Sequence, residues 1–420
     1  MMTQPIEKLM KSFDIDRVRQ DFPVLGKQVH GKPLTFLDSA ASAQKPKEVL
    51  NRLQTVYGEH YANIHRGIYA LSERSTEAFE ETRSKVAHFL NASSEKEIVF
   101  TKGATEAINL VAYSYGMHHL KPGDEILLSQ MEHHANIVPW QQIAKQTGAN
   151  IEIVNILDNG ELDMEEFSRK VNERTKIVSM LQTSNALGTE LPMQEIISQA
   201  HKAGAVVLVD ACQSVVHQPI DVQALDADFL VFSGHKLYGP NGTGVLYGKY
   251  HLLEQMEPFQ SGGEMIKDVD FDHGTTFQDP PLRFEAGTPA IAEVIALGSA
   301  IDYVNSFDRE EVFKHEKSLM KKTAEAIRDL PGFKLVGETK DKAAIVSFIH
   351  KVAHPNDIGA ILDQCGVAVR AGHHCAMPLM KRLGLPAGTV RASFAMYNND
   401  QDVKALIAGL HKVNKLFGAA

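Results

Sequence analysis

Residues 125–247 repeat one pattern, in which short apolar runs alternate with longer amphipathic stretches. The apolar runs have the length of buried strands, and the stretches between them have helical spacing. Strands that alternate with helices fold into a mostly parallel sheet wrapped by helices, so the pattern predicts the α/β class. The predicted order is strand 125–129, helix 136–147, strand 150–156, helix 163–172, strand 176–182, helix 192–203 and strands 205–209, 229–232 and 243–247.

The flanking stretches predict further elements and three parts of the chain. Upstream we expect a docking helix at 7–20, a strand at 34–38, helices at 46–59, 72–90 and 105–115, and a strand at 97–100. Downstream, glycine and proline predict a long irregular loop at 260–283, and an apolar helix at 289–307 leads to a small α+β unit. The predicted parts are an N-terminal segment 1–33 packing with the small domain, a large domain 34–300 and a small C-terminal domain 301–420.

Composition excludes several classes of protein. The net charge of -9 comes from scattered acids without a basic block, which argues against a nucleic-acid or membrane partner. The chain has three cysteines, too few for a disulfide framework and typical of a reducing cytosol. No apolar run is long enough to span a bilayer. These features predict a cytoplasmic protein.

A lysine and an aspartate each follow a predicted buried strand. Lys236 comes just after strand 229–232, and Asp210 follows strand 205–209. Open α/β sheets bind ligands at the carboxyl ends of their strands, where a lysine can form a Schiff base with pyridoxal phosphate. A carboxylate beside the ring nitrogen of that cofactor keeps the nitrogen protonated. The alternatives are a surface lysine and a capping aspartate, but the pair together indicates a pyridoxal phosphate site.

Two further turns lie at the same predicted edge. Gly103-Ala104-Thr105 stands between a strand and a helix, where backbone N–H groups and the Thr105 hydroxyl suit a phosphate. His133, after strand 125–129, places an imidazole where it can stack on a pyridine ring. A zinc site with His134 is the alternative, although adjacent side chains of an extended segment point apart. No metal is predicted.

The C-terminal region supplies a thiol and a buried cation. Cys375 lies in a loop rich in small residues, and Arg370, His373 and His374 beside it would favour the reactive thiolate. An inert buried cysteine and a zinc site are the alternatives. Arg391 stands inside an apolar strand, where a guanidinium needs a partner, and a substrate carboxylate or a salt bridge between domains would provide one.

Together these residues resemble the fold-type I pyridoxal phosphate enzymes of the class V aminotransferase superfamily, and within it the SUF-type (group II) cysteine desulfurases. The resemblance runs from about Phe22 to the C-terminus and implies a mostly parallel seven-stranded sheet in the large domain. Its motifs are His65-Arg-Gly67, Thr105-Glu-Ala-Ile-Asn-Leu110, Glu132-His-His-Ala-Asn136, Asn185-Ala-Leu-Gly188, Asp210 with Gln213, Ser233-Gly-His-Lys-Leu-Tyr-Gly-Pro240, Phe284-Glu-Ala-Gly-Thr-Pro289, Arg370-Ala-Gly-His-His-Cys-Ala376 and Arg391-Ala-Ser393.

The resemblance also implies roles for single residues. Lys236 would carry the cofactor as a Schiff base, Asp210 would pair with its ring nitrogen, and His133 would stack on the ring and exchange a proton with the substrate. Thr288 would reach the phosphate of the other subunit, which implies a homodimer. The remaining implied contacts are Asn185 and Gln213 to the ring oxygen, Thr105, Ser233 and His235 to the phosphate, and His65, Asn185, Arg370 and Arg391 around the substrate.

The implied reaction converts L-cysteine to L-alanine and leaves a persulfide on Cys375. A small SUF acceptor protein would take the sulfur for iron–sulfur cluster assembly, and L-selenocysteine would be a second substrate. Ala104, Lys102 and Cys212 depart from the family's usual residues. Two other functions stay open: an aminotransferase or lyase of the same fold in which Cys375 is incidental, and a non-catalytic zinc or scaffold protein.

Overall fold

The structure is a computed structural model that describes residues 13–418. The predicted docking helix at 7–20 lies partly outside these residues, and its described part is helix α1. The helices are α1 Ile15–Gln20, α2 Lys47–Thr55, α3 Ala70–Leu90, α4 Ala104–Val111, α5 Met117–His119, α6 Val138–Thr147, α7 Met164–Lys170, α8 Met193–Lys202, α9 Ser214–His217, α10 Val222–Leu225, α11 Tyr250–Gln255, α12 Ile291–Val304, α13 Arg309–Arg328, α14 Pro355–Asp363, α15 Met377–Arg382 and α16 Asp400–Phe417.

The strands form one large sheet and several smaller ones. They are β1 Gln28–Val29, β2 Lys32–Pro33, β3 Thr35–Phe36, β4 Ile98–Thr101, β5 Glu125–Ser129, β6 Asn150–Val154, β7 Thr175–Leu181, β8 Val206–Asp210, β9 Phe229–Ser233, β10 Gly244–Gly248, β11 Ile266–Asp270, β12 Gly274–Phe277, β13 Phe333–Val336, β14 Ile345–His350, β15 Val367–Ala368, β16 Arg370–Gly372 and β17 Thr389–Ser393.

The large sheet has seven strands in the order β4-β10-β9-β8-β7-β5-β6. Strand β10 runs antiparallel to both of its neighbours, and the pairings among β9, β8, β7, β5 and β6 are parallel. The predicted mostly parallel sheet of seven strands is therefore confirmed. Because six strands point the same way, their carboxyl ends meet at one edge.

Helices cover both faces of this sheet. Alternate side chains of a strand point to opposite faces. Along β8, Val207 and Val209 belong to one buried cluster, which also holds residues of α3, α8 and α12, while Leu208 belongs to another with residues of α4 and α6. Burial on both faces explains why these strands are continuous apolar runs in the sequence.

The C-terminal unit is a four-stranded antiparallel sheet in the order β13-β14-β17-β16. Its apolar side chains pack with those of α13, α14 and α16 in a separate cluster. This agrees with the predicted small α+β unit. The boundaries at residues 34 and 301 stay a prediction.

Two local predictions are wrong. The strand predicted at 34–38 is only Thr35–Phe36, and it pairs with β15 of the C-terminal unit and not with the large sheet. The loop predicted at 260–283 contains a hairpin of β11 and β12, whose residues are mostly exposed. The partner of β3 lies far along the chain, and the β11–β12 hairpin is mostly exposed and has no buried apolar run, so composition is a weak guide to either. Within residues 13–418, no helix is long and apolar enough to cross a membrane.

Candidate active site

A cavity of about 380 Å³ lies at the carboxyl edge of the large sheet, beneath the C-terminal unit. This volume suits a small-molecule site. Strands β5, β7, β8 and β9 all end beside it, because parallel strands bring their carboxyl ends together. The predicted site residues that line it are Thr105, His133, Asn185, Asp210, Gln213, Ser233, His235, Lys236, Arg370, Cys375 and Arg391.

One end of the cavity is a turn shaped for an anion. Helix α4 begins at Ala104, whose backbone N–H donates to Ser233 Oγ at 2.9 Å. Gly103 precedes the helix with φ of +157°, a conformation that side chains rarely adopt, and an added Cβ on Gly244 would lie 2.4 Å from Gly103 Cα. The glycines therefore let two backbones approach closely at the positive end of a helix, which is a suitable place for a phosphate.

Asp210 and Lys236, which were predicted to bind the cofactor, lie at and just after the ends of two neighbouring strands. Asp210 is buried at the end of β8, and its Oδ1 accepts from the backbone N–H of Cys212 at 3.0 Å. Lys236 follows β9 in a turn closed by its own N–H to Ser233 O. Cys212 also lines this region, and burial raises the pKa of its thiol to about 12. Cys212 is therefore a neutral thiol at neutral pH, which makes it a poor nucleophile.

His133 stands between β5 and α6 with its imidazole at the cavity. Its Nδ1 accepts from the backbone N–H of Ala135 at 3.1 Å, which fixes the ring. Burial, followed by the positive charge of Lys236, lowers the pKa of His133 to about 4. The imidazole is thus neutral at neutral pH, as a ring that stacks on a pyridine and exchanges protons requires.

Amide side chains occupy the wall between the two units. Asn185 Nδ2 donates to the backbone carbonyl of His374 at 2.6 Å, and Gln213 Nε2 donates to Ala40 O at 2.8 Å. Asn185 Oδ1 and Thr183 Oγ1 are buried and have no hydrogen-bond partner among residues 13–418. Buried polar atoms are normally paired, so a bound group is expected to complete this wall.

Cys375 is exposed on the loop between β16 and α15. His374 and Cys375 both have positive φ, +54° and +56°, a backbone strain that clusters at functional sites. Burial lowers the pKa of His374 to about 3. His374 is therefore neutral at neutral pH, and Arg370 and Arg391 are the cationic neighbours of the thiol.

Arg391 is buried and makes contacts with both units. Its Nη1 donates to Asn185 O at 2.8 Å, its Nη2 donates to Asp38 Oδ1 at 3.1 Å, and its Nε has no partner in the described part of the chain. Arg370 binds the same Asp38 through Nε and Nη2, the latter at 2.7 Å. Both predicted arginines thus reach the cavity, and the predicted alternative of a salt bridge at Arg391 is also present.

Two predicted residues do not line the cavity. His65 Nε2 lies 2.9 Å from Glu80 Oε1 on α3, and Thr288 is exposed beyond the loop that follows the β11–β12 hairpin. Sequence reasoning missed Asp38, the last residue of the strand predicted at 34–38, and Thr183, which follows the strand predicted at 176–182. The pattern that selected Asp210 applies equally to Asp38 and was the signal available.

Among residues 13–418, no group of three histidine, cysteine, aspartate or glutamate side chains is placed to hold a metal ion. His373 and His374 instead contact Pro386 O and Thr389 Oγ1, at 2.7 and 2.8 Å. The histidine pairs therefore have other partners, and the zinc alternative has no support from this geometry.

The family described as aminotransferase class-V matches residues 35–406. The chain belongs to this family. A cysteine desulfurase of Dickeya dadantii (strain 3937) is 50% identical over 417 residues, which cover 99% of this chain and 100% of the relative. The cysteine desulfurase CsdA of Escherichia coli is 41% identical with a TM-score of 0.90, covering 96% of this chain and 99% of that one. A cysteine desulfurase of Thermococcus onnurineus NA1 is 37% identical with a TM-score of 0.90, covering 99% and 100%.

These similarities confirm the predicted fold of this chain and its predicted enzyme class, which is that of a pyridoxal phosphate-dependent cysteine desulfurase. The cavity fits the cofactor of the class-V family in three respects. It has a glycine-lined helix N-terminus for the phosphate, a buried carboxylate at Asp210 for the ring nitrogen, and unpaired polar atoms at Thr183 and Asn185. Lys236 lines the same cavity.

Proposed function

We propose that the enzyme converts L-cysteine to L-alanine and retains the sulfur as a persulfide on Cys375. One observation carries this proposal. Lys236, which follows a strand of the large sheet, and Cys375, on a loop of the C-terminal unit, line the same cavity although they are far apart in sequence. An amine and a thiol are thus available to one bound amino acid.

The large sheet supplies the groups that hold and use pyridoxal phosphate. The turn of Gly103 to Thr105, with Ser233 and His235, would hold the phosphate, and Asn185 and Gln213 the ring oxygen. When bound, the cofactor supplies an electron sink for the bond-breaking steps at the substrate's Cα. Asp210 would hold a proton at the ring nitrogen, and His133 would cover the ring with its neutral imidazole. Lys236 would hold the cofactor through its amine, and the same amine, once freed by the substrate, would take the Cα proton as a base.

The sulfur step belongs to Cys375. Its thiolate forms an S–S bond with the substrate sulfur while the Cβ–S bond breaks and leaves its electron pair on carbon. Protonation of that carbon, with His133 as the proposed proton donor, and return of a proton to Cα by Lys236 would then give L-alanine. Arg391 would hold the substrate carboxylate, because it lines the cavity and its buried Nε has no partner among residues 13–418.

Partners and setting are part of the proposal. Cys375 lies on a short loop, because β16 ends at Gly372 and α15 begins at Met377. The exposed thiol on this short loop supports transfer of sulfur to a small SUF acceptor for iron–sulfur cluster assembly. Exposed Thr288 supports a homodimer in which it reaches the other subunit's phosphate. Three free thiols suit a cytoplasmic enzyme. L-selenocysteine has the same shape as L-cysteine and is proposed as a second substrate.

Mass spectrometry after a brief exposure to L-cysteine tests the proposal. One extra sulfur atom is expected on Cys375, and Cys375→Ser should form neither the persulfide nor L-alanine at the wild-type rate. Cys365→Ser, which removes a partly buried thiol outside the cavity, is the matched control and should behave as wild type. A Cys375→Ser variant that releases L-alanine at full rate would instead favour an aminotransferase or lyase in which Cys375 is incidental.

A further inference from the structure

We infer that Asp38 is a specificity-determining residue. It sets the net charge of the pocket that binds the substrate carboxylate, so that the pocket favours amino acids with one carboxylate over amino acids with two. The inference rests on the proposed function, in which Arg391 holds the carboxylate of the amino acid. Asp38 does not touch the reacting atoms. It acts through the two arginines that it binds.

The two arginines lie directly opposite each other on neighbouring strands. Arg370 of β16 and Arg391 of β17 are register partners in an antiparallel pair. Like charges directly opposite on a sheet are destabilising, so this arrangement needs a counter-ion. Asp38 provides it from the N-terminal side of the chain, through Oδ1 to Arg391 Nη2 and through both oxygens to Arg370.

The three residues differ in their exposure. The side chain of Arg391 is 2% exposed, that of Asp38 is 15% exposed and that of Arg370 is 49% exposed. Arg391 is therefore buried inside the pocket. Arg370 is partly exposed, and its contacts with both oxygens of Asp38 hold it in position. Two guanidinium groups and one carboxylate leave a single positive charge, which matches one substrate carboxylate.

Removing the charge of Asp38 would change both the net charge of the pocket and the position of Arg370. The pocket would carry two positive charges, and Arg370 would lose its forked partner while still lining the cavity. A planar carboxylate is the group that an arginine fork binds best. A second carboxylate on the ligand would then replace Asp38, so dicarboxylic amino acids would gain affinity relative to monocarboxylic ones.

Binding of L-alanine and L-aspartate to the holoenzyme tests this inference, with dissociation constants read from the change in cofactor absorbance. In Asp38→Asn, we expect the ratio of the L-alanine constant to the L-aspartate constant to rise about tenfold. Asp38→Glu keeps the charge and should keep the wild-type ratio. The double variant Asp38→Asn with Arg370→Gln has one positive charge again and should return the ratio to within about twofold of wild type.

Equal changes in both constants in Asp38→Asn would overturn the inference, because a purely structural role weakens both ligands alike. If Asp38→Asn does not fold, Arg370→Gln replaces it. In that variant the charges of Arg391 and Asp38 cancel, so L-alanine should bind about tenfold more weakly. Ethylamine, which has no carboxylate, should bind with unchanged affinity. Unchanged binding of L-alanine would overturn the inference. These binding measurements can be made with Cys375→Ser as the parent enzyme, because neither L-alanine nor L-aspartate contains sulfur. Their outcome is therefore independent of the persulfide test.

Discussion

The backbone carbonyl of Cys375 accepts a hydrogen bond from the backbone N–H of His134 at 2.7 Å. The His134 ring reinforces this contact, because its Nε2 accepts from the backbone N–H of Met377 at 3.1 Å. The loop that carries the thiol is therefore attached at Cys375 and at Met377 to the turn that carries His133. The position of the sulfur is set by contacts between the two units.

Removing the His134 ring should slow sulfur transfer. In His134→Ala the backbone contact to Cys375 remains and the contact to Met377 is lost, so the loop gains freedom. We expect the rate of persulfide formation, measured by rapid quenching and mass spectrometry, to fall about tenfold, because small misplacements of reacting groups are costly. L-Alanine binding serves as the control and should not change. An unaltered rate would show that the Met377 contact does not position the thiol.

Replacing Arg391 by lysine should weaken substrate binding more than it slows turnover. Lysine has a single ammonium group and cannot reproduce the separate contacts of Nη1 to Asn185 O and Nη2 to Asp38. We expect the KM for L-cysteine to rise at least tenfold and kcat to fall less, as steady-state kinetics would show. A lower kcat with an unchanged KM would contradict a role for Arg391 in binding the carboxylate.

Adding a methyl group at Gly244 should weaken cofactor binding. The Cβ of an alanine there would lie 2.4 Å from Gly103 Cα, so the turn before α4 would have to move. We expect Gly244→Ala to purify with less cofactor and to bind added pyridoxal phosphate at least tenfold more weakly in a fluorescence titration. Gly26→Ala is the matched control, since no atom lies within 4 Å of its added Cβ. Equal affinity in both variants would contradict the assignment of the phosphate site.

His374 should make the protein less stable in acid. Burial and the charges of Arg391 and Arg370 lower its pKa from 6.5 to about 3, so at pH 5 the unfolded chain binds a proton there that the folded chain does not. Stability is then lost as the pH falls below 6.5, by about 1.4 kcal/mol per pH unit. His374→Gln should reduce the loss in free energy of unfolding between pH 7 and pH 5 by about 2 kcal/mol in denaturant titrations. An identical loss in the two proteins would contradict this pKa.

Neutralising Glu285 should destabilise the large sheet. Glu285 binds Arg83 through both oxygens, at 2.7 and 2.9 Å, and also accepts from the backbone N–H of Phe100. The Arg83 side chain is 3% exposed, so without Glu285 its buried positive charge would lose most of its negative partners, although Glu80 still contacts it. We expect Glu285→Ala to lower the free energy of unfolding by about 3 kcal/mol. Glu338→Ala, which breaks the exposed pair with Arg328, should cost less than about 1 kcal/mol.

Much of the site was accessible from sequence because its residues follow strands. Asp210, Lys236, His133 and Thr105 were each selected at the end of an apolar run, and parallel strands bring such ends to one edge. Asp38 has the same local pattern but was missed, since its importance lies in contacts with Arg370 and Arg391, more than 300 residues away along the chain. No local spacing encodes such contacts.

The sequence by itself determined the α/β class with a mostly parallel sheet, because hydrophobic periodicity and turn residues act over short distances. Its motifs, through the resemblance that they carry, implied the seven strands and the residues available for chemistry. Only the tertiary structure decided that β3 pairs with β15, that β11 and β12 form a hairpin, and that His65 lies against Glu80. It also decided the electrostatics of the pocket. Burial makes His133, His374 and the Cys212 thiol neutral, and burial depends on the atoms that the fold packs around a group.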